Sequence, residues 1–255
     1  MRCLAIVLLT LGGIAAQVAV ESTGEPLPKT LPAVEAEAES KLDIDPDEAY
    51  RELVSGDSER VVRAYKALDL SWIGESLPIE VRAIAVNMDD DNAQLERVLI
   101  VNNRQNTAVI VFARKNGAWW SVASGLCGAP VGNCPSPFVE LKQTVWYGTY
   151  DLVVHTDGKM GLGVSESHLQ IYRMFRGRFY RVFDFVENSH NVSGEESSKF
   201  RFSDASSSDA ATIVAHRSKE FRGRRSTACI PHVWSVDKFA FLPVPPTRAL
   251  CAPVN

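Results

Sequence analysis

The sequence predicts a mainly β fold in which three repeats of about four antiparallel strands follow a short N-terminal helical segment. From Val81 onward, short stretches rich in Val, Ile, Phe, Tyr and Trp alternate with turn residues, which is typical of strands. An apolar–aromatic hairpin recurs along this region, and its closing strands place Trp119, Phe179 and Phe239 at intervals of 60 residues. Before Val81, residues 45–70 carry a helical period of apolar residues.

Residues 1–19 have the layout of a secretory signal peptide. A positive start at Arg2 precedes the apolar run "CLAIVLLTLGGIAAQVAV", whose small residues suit cleavage near Ala16 or Ala19. The run is just long enough to span a bilayer, so anchoring by an uncleaved N-terminal helix is the alternative. We therefore expect a secreted or periplasmic protein with no stable membrane insertion after cleavage.

Residues 20–44 are predicted to form a disordered acidic linker. The stretch "STGEPLPKTLPAVEAEAES" is rich in Pro and Glu and has few large apolar side chains. Between Glu21 and Arg60 the chain carries 12 acidic and 4 basic residues, whereas residues 61–255 are mildly basic. Such a segment cannot bury enough apolar surface to offset the entropy lost on ordering.

Residues 45–77 are predicted to form a cap of two short helices. Asp45 is suited to cap the first helix, with Pro46 in its first turn. Gly56 ends that helix, and Asp57 opens a second one. The second helix places four apolar side chains on one face, namely Val61, Val62, Tyr65 and Leu68.

Residues 78–255 are predicted to form the β-repeat domain, with units at about 81–124, 139–186 and 198–244. Units of this kind can bury both faces by stacking radially as blades. Closed propellers have about four to eight blades, so three units predict a partial or open propeller-like arrangement. In the strand "RFYRVFDF", alternation predicts Phe179, Phe183 and Phe185 on the same face.

The stretch "AIAVNMDDDNAQLERVLIV" resembles an FG-GAP or VCBS repeat, a β-propeller blade found in secreted and adhesion proteins. The acidic loop of these repeats reads Asp-x-Asp-x-Asp-Gly and is followed by Glu and an apolar strand. Asp89 and Asp91 match the first two acidic positions and Glu96 precedes the strand, while Ala93 and Gln94 depart from the pattern. The resemblance implies a calcium site at Asp89, Asp91 and Glu96, and a solvated acidic turn is the alternative.

Four cysteines follow Cys3, and an oxidising compartment favours their pairing. Of the three possible pairings, we expect the two that join sequence neighbours, Cys127 with Cys134 and Cys229 with Cys251. A zinc site is the alternative, but the chain has no Cys-x-x-Cys motif.

The sequence lacks the common motifs of catalytic, zinc-binding and phosphate-binding sites. It has no Gly-x-Ser-x-Gly elbow and no two histidines three to five residues apart. The run "DGKMGLG" follows a strand but precedes another strand, so it is predicted to be a connector rather than a phosphate loop. The basic stretches "RMFRGRFYR" and "HRSKEFRGRRS" are expected in solvated hairpin turns, and the net charge of −4 does not favour a nucleic-acid partner.

The sequence therefore predicts a non-catalytic extracytoplasmic binding or scaffold module without a required cofactor, whose partner is a protein or a glycan of the cell envelope. The alternative is a hydrolase with a carboxylate and histidine site on the rim of the repeats. We expect the loops that carry Asp89, His155 and Asp204 to gather on that rim.

Overall fold

The computed structural model describes residues 37–73, 76–89, 94–103, 106–123, 138–161, 164–192, 194–203, 205–206 and 209–252, together with the backbone of two short strands, β1 (Ala5–Leu9) and β2 (Ala16–Val20). These two strands pair antiparallel. The remainder of the predicted signal peptide, and the predicted linker as far as residue 36, lie outside the described residues.

Two helices, α1 (Pro46–Leu53) and α2 (Ser58–Ala67), and a short 3-10 helix (Ser71–Ile73) form the helical segment. Asp45 caps α1 by accepting a hydrogen bond from the backbone N–H of Asp47 at 2.8 Å. Asp57 caps α2 in the same way through the N–H of Glu59 at 2.9 Å. These caps satisfy N–H groups that have no partner within the helix, so the sequence fixes where both helices begin.

The first sheet has five antiparallel strands in the order β3-β7-β6-β5-β4. They are β3 (Ser40–Lys41), β4 (Glu80–Val86), β5 (Glu96–Asn103), β6 (Asn106–Lys115) and β7 (Ala118–Ala123). One face packs against the helices through an apolar cluster that includes Leu53, Tyr65 and Phe112. Leu42 and Ile44 join this cluster, so the last part of the predicted linker belongs to the folded body.

The second sheet has eight strands, each antiparallel to the next in chain order. They are β8 (Phe138–Lys142), β9 (Asp151–Gly161), β10 (Val164–Phe175), β11 (Arg178–Asn191), β12 (Gly194–Phe202), β13 (Ile213–Phe221), β14 (Arg224–Ser235) and β15 (Ala240–Pro243). Its first half packs on the free face of the five-stranded sheet through Leu152, Val154, Met174 and Phe179. A third, aromatic cluster joins the two halves of the large sheet and includes Phe183, Phe239 and Phe241.

The prediction of a mainly β fold is confirmed, whereas three separate blades are not. The first predicted unit corresponds to β4–β7, but the second and third are continuous within one sheet because β11 pairs with β12. Neither sheet closes on itself. Trp119, Phe179 and Phe239 lie in three different apolar clusters, so the recurring aromatic position does not have equivalent surroundings in the three units.

The predicted face of β11 is wrong for Phe179. This ring packs between the two sheets, while Phe183 and Phe185 stack on each other in the third cluster. The register between β10 and β11 shifts between Ile171 and Tyr172, which leaves one residue of β11 unpaired. This bulge puts Phe183 and Phe185 on the opposite face of β11 from the one that strict alternation along the sequence predicts.

The predicted disulfide between Cys229 and Cys251 is confirmed, with the two Cα atoms 6.0 Å apart. It joins β14 to the C-terminal tail, and Arg201 of β12 donates a further hydrogen bond of 2.8 Å to the carbonyl of Ala252. Cys127 and Cys134 lie outside the described residues. Within the part of the chain that the structure describes, no helix has both the length and the apolar character needed to cross a bilayer.

Candidate functional site

Four connections lie at the same end of the eight-stranded sheet. Three of them are residues 143–150 between β8 and β9, 203–212 between β12 and β13, and 236–239 between β14 and β15, and the fourth is the turn between β10 and β11. Alternate connections of an antiparallel meander share one end, so this grouping follows from the topology. The backbone N–H of Ala211 donates to the carbonyl of Thr144 at 2.7 Å and ties the first two connections together.

A cleft of about 470 Å³ opens between these connections, and we call it the aromatic cleft. Its volume lies within the range of small-molecule sites, about 300–1,000 Å³. Its lining combines two indoles with apolar side chains, one carboxylate and one hydroxyl, from Val145, Trp146, Asp209, Ala210, Ala211, Thr212, Val233, Trp234 and Val236.

Trp234 is held in the aromatic cleft by other aromatic rings. Its ring centroid lies 5.2 Å from that of Phe239 and 5.4 Å from that of Phe241, both in edge-to-face arrangements. Its indole Nε1 is buried and has no hydrogen-bond partner among the described residues. A buried donor without a partner costs about 1–3 kcal/mol, so a small shift of the indole that brought this N–H to an acceptor would be favourable.

The connection that carries Trp146 is fixed by a buried ion pair at the start of β9. Asp151 Oδ1 lies 2.8 Å from Arg173 Nη1, and the two side chains are 0% and 1% exposed. The other carboxylate oxygen of Asp151 accepts the Thr144 hydroxyl at 2.6 Å and the backbone N–H groups of Thr144 and Val145 at 3.1 and 3.2 Å. Asp151 therefore positions the two residues that directly precede Trp146.

Burial disfavours the charged form of both partners in this ion pair. It raises the pKa of the Asp151 carboxyl and lowers the pKa of the Arg173 guanidinium. The opposite charge at 2.8 Å acts in the other direction for each group. The sequence placed Arg173 in a solvated basic turn, and the structure corrects this, because the side chain is a buried structural group of β10.

His168 lies between two carboxylates on β10 and β11. Its Nδ1 is 2.6 Å from Asp184 Oδ1 and its Nε2 is 2.7 Å from Glu166 Oε1. The hydrogen bond with Asp184, assisted by that with Glu166, raises the pKa of His168 to about 9 against the opposing effect of burial. His168 is therefore a cation at neutral pH, and both of its ring nitrogens are engaged.

A second cleft, of about 320 Å³, lies toward the opposite end of the large sheet, and we call it the polar groove. One cross-strand row runs through it, because Ser165 pairs with His190, His190 with Glu195, Glu195 with Glu220, and Glu220 with Arg225. His190 Nδ1 lies 3.1 Å from Glu195 Oε1. The groove is lined entirely by polar side chains, from Ser165, Asn188, Ser189, His190, Glu195, Glu196, Ser197, Ser218, Glu220 and Arg225.

The predicted calcium residues lie in and around the connection between β4 and β5. Glu96 is buried, and its Oε2 accepts the backbone N–H of Met88 at 2.8 Å, so this carboxylate stabilises the connection. Asp91 lies outside the described residues, and the calcium site stays a prediction. Among the described residues, no group of three or more His, Cys, Asp or Glu side chains could hold a metal ion.

Of the three predicted rim residues, His155 is the one whose predicted placement in a loop is wrong. His155 is not in a loop: it lies within β9, opposite Leu169 of β10, and its Nδ1 is 3.1 Å from Glu187. The connection that follows β4, which carries Asp89, does adjoin the 143–150 connection, because the N–H of Tyr150 donates to the carbonyl of Asn87 at 2.8 Å. Asp204 lies outside the described residues.

Sequence reasoning missed both tryptophans of the aromatic cleft. Trp146 lies in the connection after β8, which ends at Lys142, and Trp234 lies near the end of β14. Neither residue belongs to a local motif that marks a binding site, because the cleft forms only where distant parts of the chain meet.

The chain matches no protein-family model, no curated protein and no solved structure. The function therefore has to be argued from the geometry and chemistry of the two clefts.

Proposed function

We propose that this protein is a non-catalytic binding module of the extracytoplasmic space that recognises a saccharide in the aromatic cleft. The observation that carries this proposal is the convergence of Trp146 and Trp234 on one cleft that also contains Asp209 and Thr212. Trp146 lies in the connection between β8 and β9 and Trp234 lies near the end of β14, so the fold and not the local sequence brings them together.

A pyranose ring has the surface that this cleft complements. Its C–H groups form apolar faces that stack on aromatic rings, and its hydroxyls donate and accept hydrogen bonds at the ring edge. In the cleft, Val145 and Val233 extend the apolar lining beside the two indoles. On ligand binding the Trp234 indole shifts so that its buried N–H donates to a sugar hydroxyl. Asp209 and Thr212 supply a carboxylate and a hydroxyl that fix orientation.

The extracytoplasmic location is part of the proposal. The Cys229–Cys251 disulfide supports it, because such bonds persist in oxidising compartments. The signal-peptide layout of residues 1–19 is the second support. We also infer that the three four-strand units are degenerate FG-GAP or VCBS-like repeats, since each predicted unit corresponds to four consecutive antiparallel strands.

The test is a saccharide screen read by tryptophan fluorescence, using purified envelope glycans and soluble oligosaccharides. At least one class should bind saturably, and Trp146→Ala should abolish this binding without changing the melting temperature. Phe221→Ala is the control, because Phe221 is an aromatic residue at the surface that lies at the other end of the sheet. Failure of every saccharide to bind, or unchanged binding by Trp146→Ala, refutes the proposal.

The second candidate is a hydrolase, favoured by the carboxylate–histidine–carboxylate arrangement at His168. Against it, Asp184 and Glu166 occupy both ring nitrogens, which leaves neither nitrogen to activate a nucleophile. The test is an assay with chromogenic glycosides and esters. Turnover that is abolished by His168→Gln and retained by the control Glu80→Gln would establish the hydrolase instead.

A further inference from the structure

Two hairpin tips lie side by side at the end of the eight-stranded sheet opposite the aromatic cleft. We call residues 191–194, between β11 and β12, and residues 219–225, around the turn between β13 and β14, the paired tips. The register places Gly194 directly opposite Phe221. A Cβ atom on Gly194 would lie 2.1 Å from the carbonyl oxygen of Glu220, so this close approach requires glycine.

Both tips expose a large apolar side chain. Val192 is 97% exposed and Phe221 is 50% exposed. These residues stand at the extreme end of the sheet, where they have no core to pack against. Exposed apolar side chains at the ends of projecting hairpins mark a surface that contacts an apolar phase or a partner.

A matched turn elsewhere in the same sheet shows that Phe221 is unusual. The turns at Arg176–Gly177 and Arg222–Gly223 share the same left-handed backbone, with φ of 51° and 49° at the arginines. In each turn the guanidinium lies 5.1 Å from the ring of the preceding phenylalanine. Phe175, however, is buried in the core of the large sheet, whereas half of Phe221 faces solvent. The turn geometry therefore does not explain the exposed ring.

The tip around Phe221 is strongly basic. Residues 219–225 contain four basic side chains and one acidic one, a net charge of +3 in a protein of net charge −4. Every residue from 219 to 228 is exposed. Lys219 pairs with Glu196 at 2.6 Å, and Glu195 lies opposite Glu220, so the cationic character of the tip rests on Arg222, Arg224 and Arg225.

We propose that the paired tips dock reversibly on an anionic phospholipid surface. Guanidinium groups bind lipid phosphates, and Phe221 and Val192 enter the boundary between headgroups and acyl chains. A soluble polyanion would engage the arginines but would leave both apolar side chains in water. Because the paired tips and the aromatic cleft lie at opposite ends of the sheet, docking through the tips leaves the cleft facing away from the bilayer.

The hairpin that carries Phe221 is anchored near its base. The Cys229–Cys251 disulfide ties β14 to the C-terminal tail, and β13 is hydrogen-bonded along its whole length to β12. The tip therefore reaches the lipid surface in a fixed geometry, and little ordering entropy is lost on docking.

The test is flotation of the full chain with phosphatidylglycerol–phosphatidylcholine vesicles and with phosphatidylcholine vesicles alone. Wild-type protein should float with the anionic vesicles, and high salt should weaken this binding. Arg222→Gln/Arg224→Gln should bind about tenfold more weakly or worse, since each lost charge near the surface contributes to affinity. Arg176→Gln, which removes the arginine from the matched turn, should bind like wild type.

Phe221→Ser/Val192→Ser separates a lipid surface from a soluble polyanion. The proposal predicts that this variant also binds the anionic vesicles several-fold more weakly than wild type, while its melting curve, followed by circular dichroism, is unchanged. If only the arginine variant loses binding, the tips recognise a polyanion and the membrane proposal is overturned. Equal flotation of all variants, or equal binding to neutral vesicles, overturns it as well. Because these variants leave the aromatic cleft intact, the result is independent of saccharide binding.

Discussion

The ion pair between Asp151 and Arg173 provides a prediction that the structure specifies in detail. Asp151→Asn keeps the size of the side chain and one oxygen acceptor, but it leaves the buried guanidinium without a counter-charge. Arg173→Met removes the cation and leaves the carboxyl with its donors from Thr144 and Val145. The two variants therefore break the same contact and leave different charges in the core.

The expected cost of Asp151→Asn is about 3–5 kcal/mol, the usual penalty for leaving one partner of a buried pair uncompensated. Both side chains are at most 1% exposed, so solvent does not screen the remaining charge. At neutral pH the remaining guanidinium keeps its proton even though burial lowers its pKa to about 9, so the uncompensated charge stays in the core. The penalty should also loosen residues 143–150 and weaken ligand binding through Trp146.

The cost of Arg173→Met should depend on pH. Burial raises the pKa of Asp151 above its unfolded value, so the folded variant binds the additional proton and is favoured by acid. The stability of this variant relative to wild type should thus fall as the pH rises above about 4, the range in which the unfolded carboxyl has already ionised.

The assay is urea unfolding of wild type and both variants at several pH values, followed by circular dichroism. A loss below about 1 kcal/mol for Asp151→Asn would show that the pair is solvated and would refute the reasoning. A pH-independent loss for Arg173→Met would contradict the assignment of a raised pKa to Asp151.

Three further predictions concern other parts of the fold. His168 gains its high pKa of about 9 from Asp184, so its contribution to folding stability is complete below about pH 6.5 and is lost as the pH rises through 9. His168→Gln should therefore remove about 1–2 kcal/mol of pH-dependent stability, measured by urea titrations. Cys229→Ser removes the disulfide that joins two cysteines 22 positions apart. It should lower the unfolding free energy by about 3 kcal/mol relative to wild type, measured without reductant. Asp45→Ala removes the N-cap of α1 and the carboxylate that accepts a hydrogen bond from the Trp119 indole at 2.9 Å. Calorimetry should record a loss of about 1–2 kcal/mol in unfolding free energy, and a loss near zero would contradict the capping role.

The helical segment was largely predictable because its signals are local. Asp45 and Asp57 each satisfy N–H groups two residues away, and the apolar face formed by Val61 and Tyr65 follows from helical spacing alone. The strand-rich character of the remaining chain was predictable for the same reason, since β-branched and aromatic residues between turns mark strands wherever they occur.

Sheet assembly was not predictable from the same signals, because it depends on pairings between distant strands. The hydrogen bonds between β11 and β12 join two predicted units into one sheet. The sequence "ENSHNVSGEE" does not show whether these two strands pair or whether a boundary between two blades lies there. The bulge near Tyr172 reverses the faces of β11 through a register shift that the sequence period conceals.

The candidate site was the least predictable feature. Trp146 and Trp234 are 88 residues apart and come together only because the meander places the connection after β8 and the end of β14 at the same end of the sheet. The buried ion pair between Arg173 and Asp151 was not predictable for a related reason, because an arginine in a basic stretch normally indicates a solvated turn.

The most direct test of the saccharide site follows the indole N–H resonances of the five tryptophans by NMR during titration with the saccharide selected in the fluorescence screen. The proposal predicts a saturable shift of the Trp234 resonance, as its buried N–H acquires an acceptor, and loss of that shift in Trp146→Ala. Saturable saccharide binding that leaves the Trp234 resonance unmoved would show that the aromatic cleft is not the binding site.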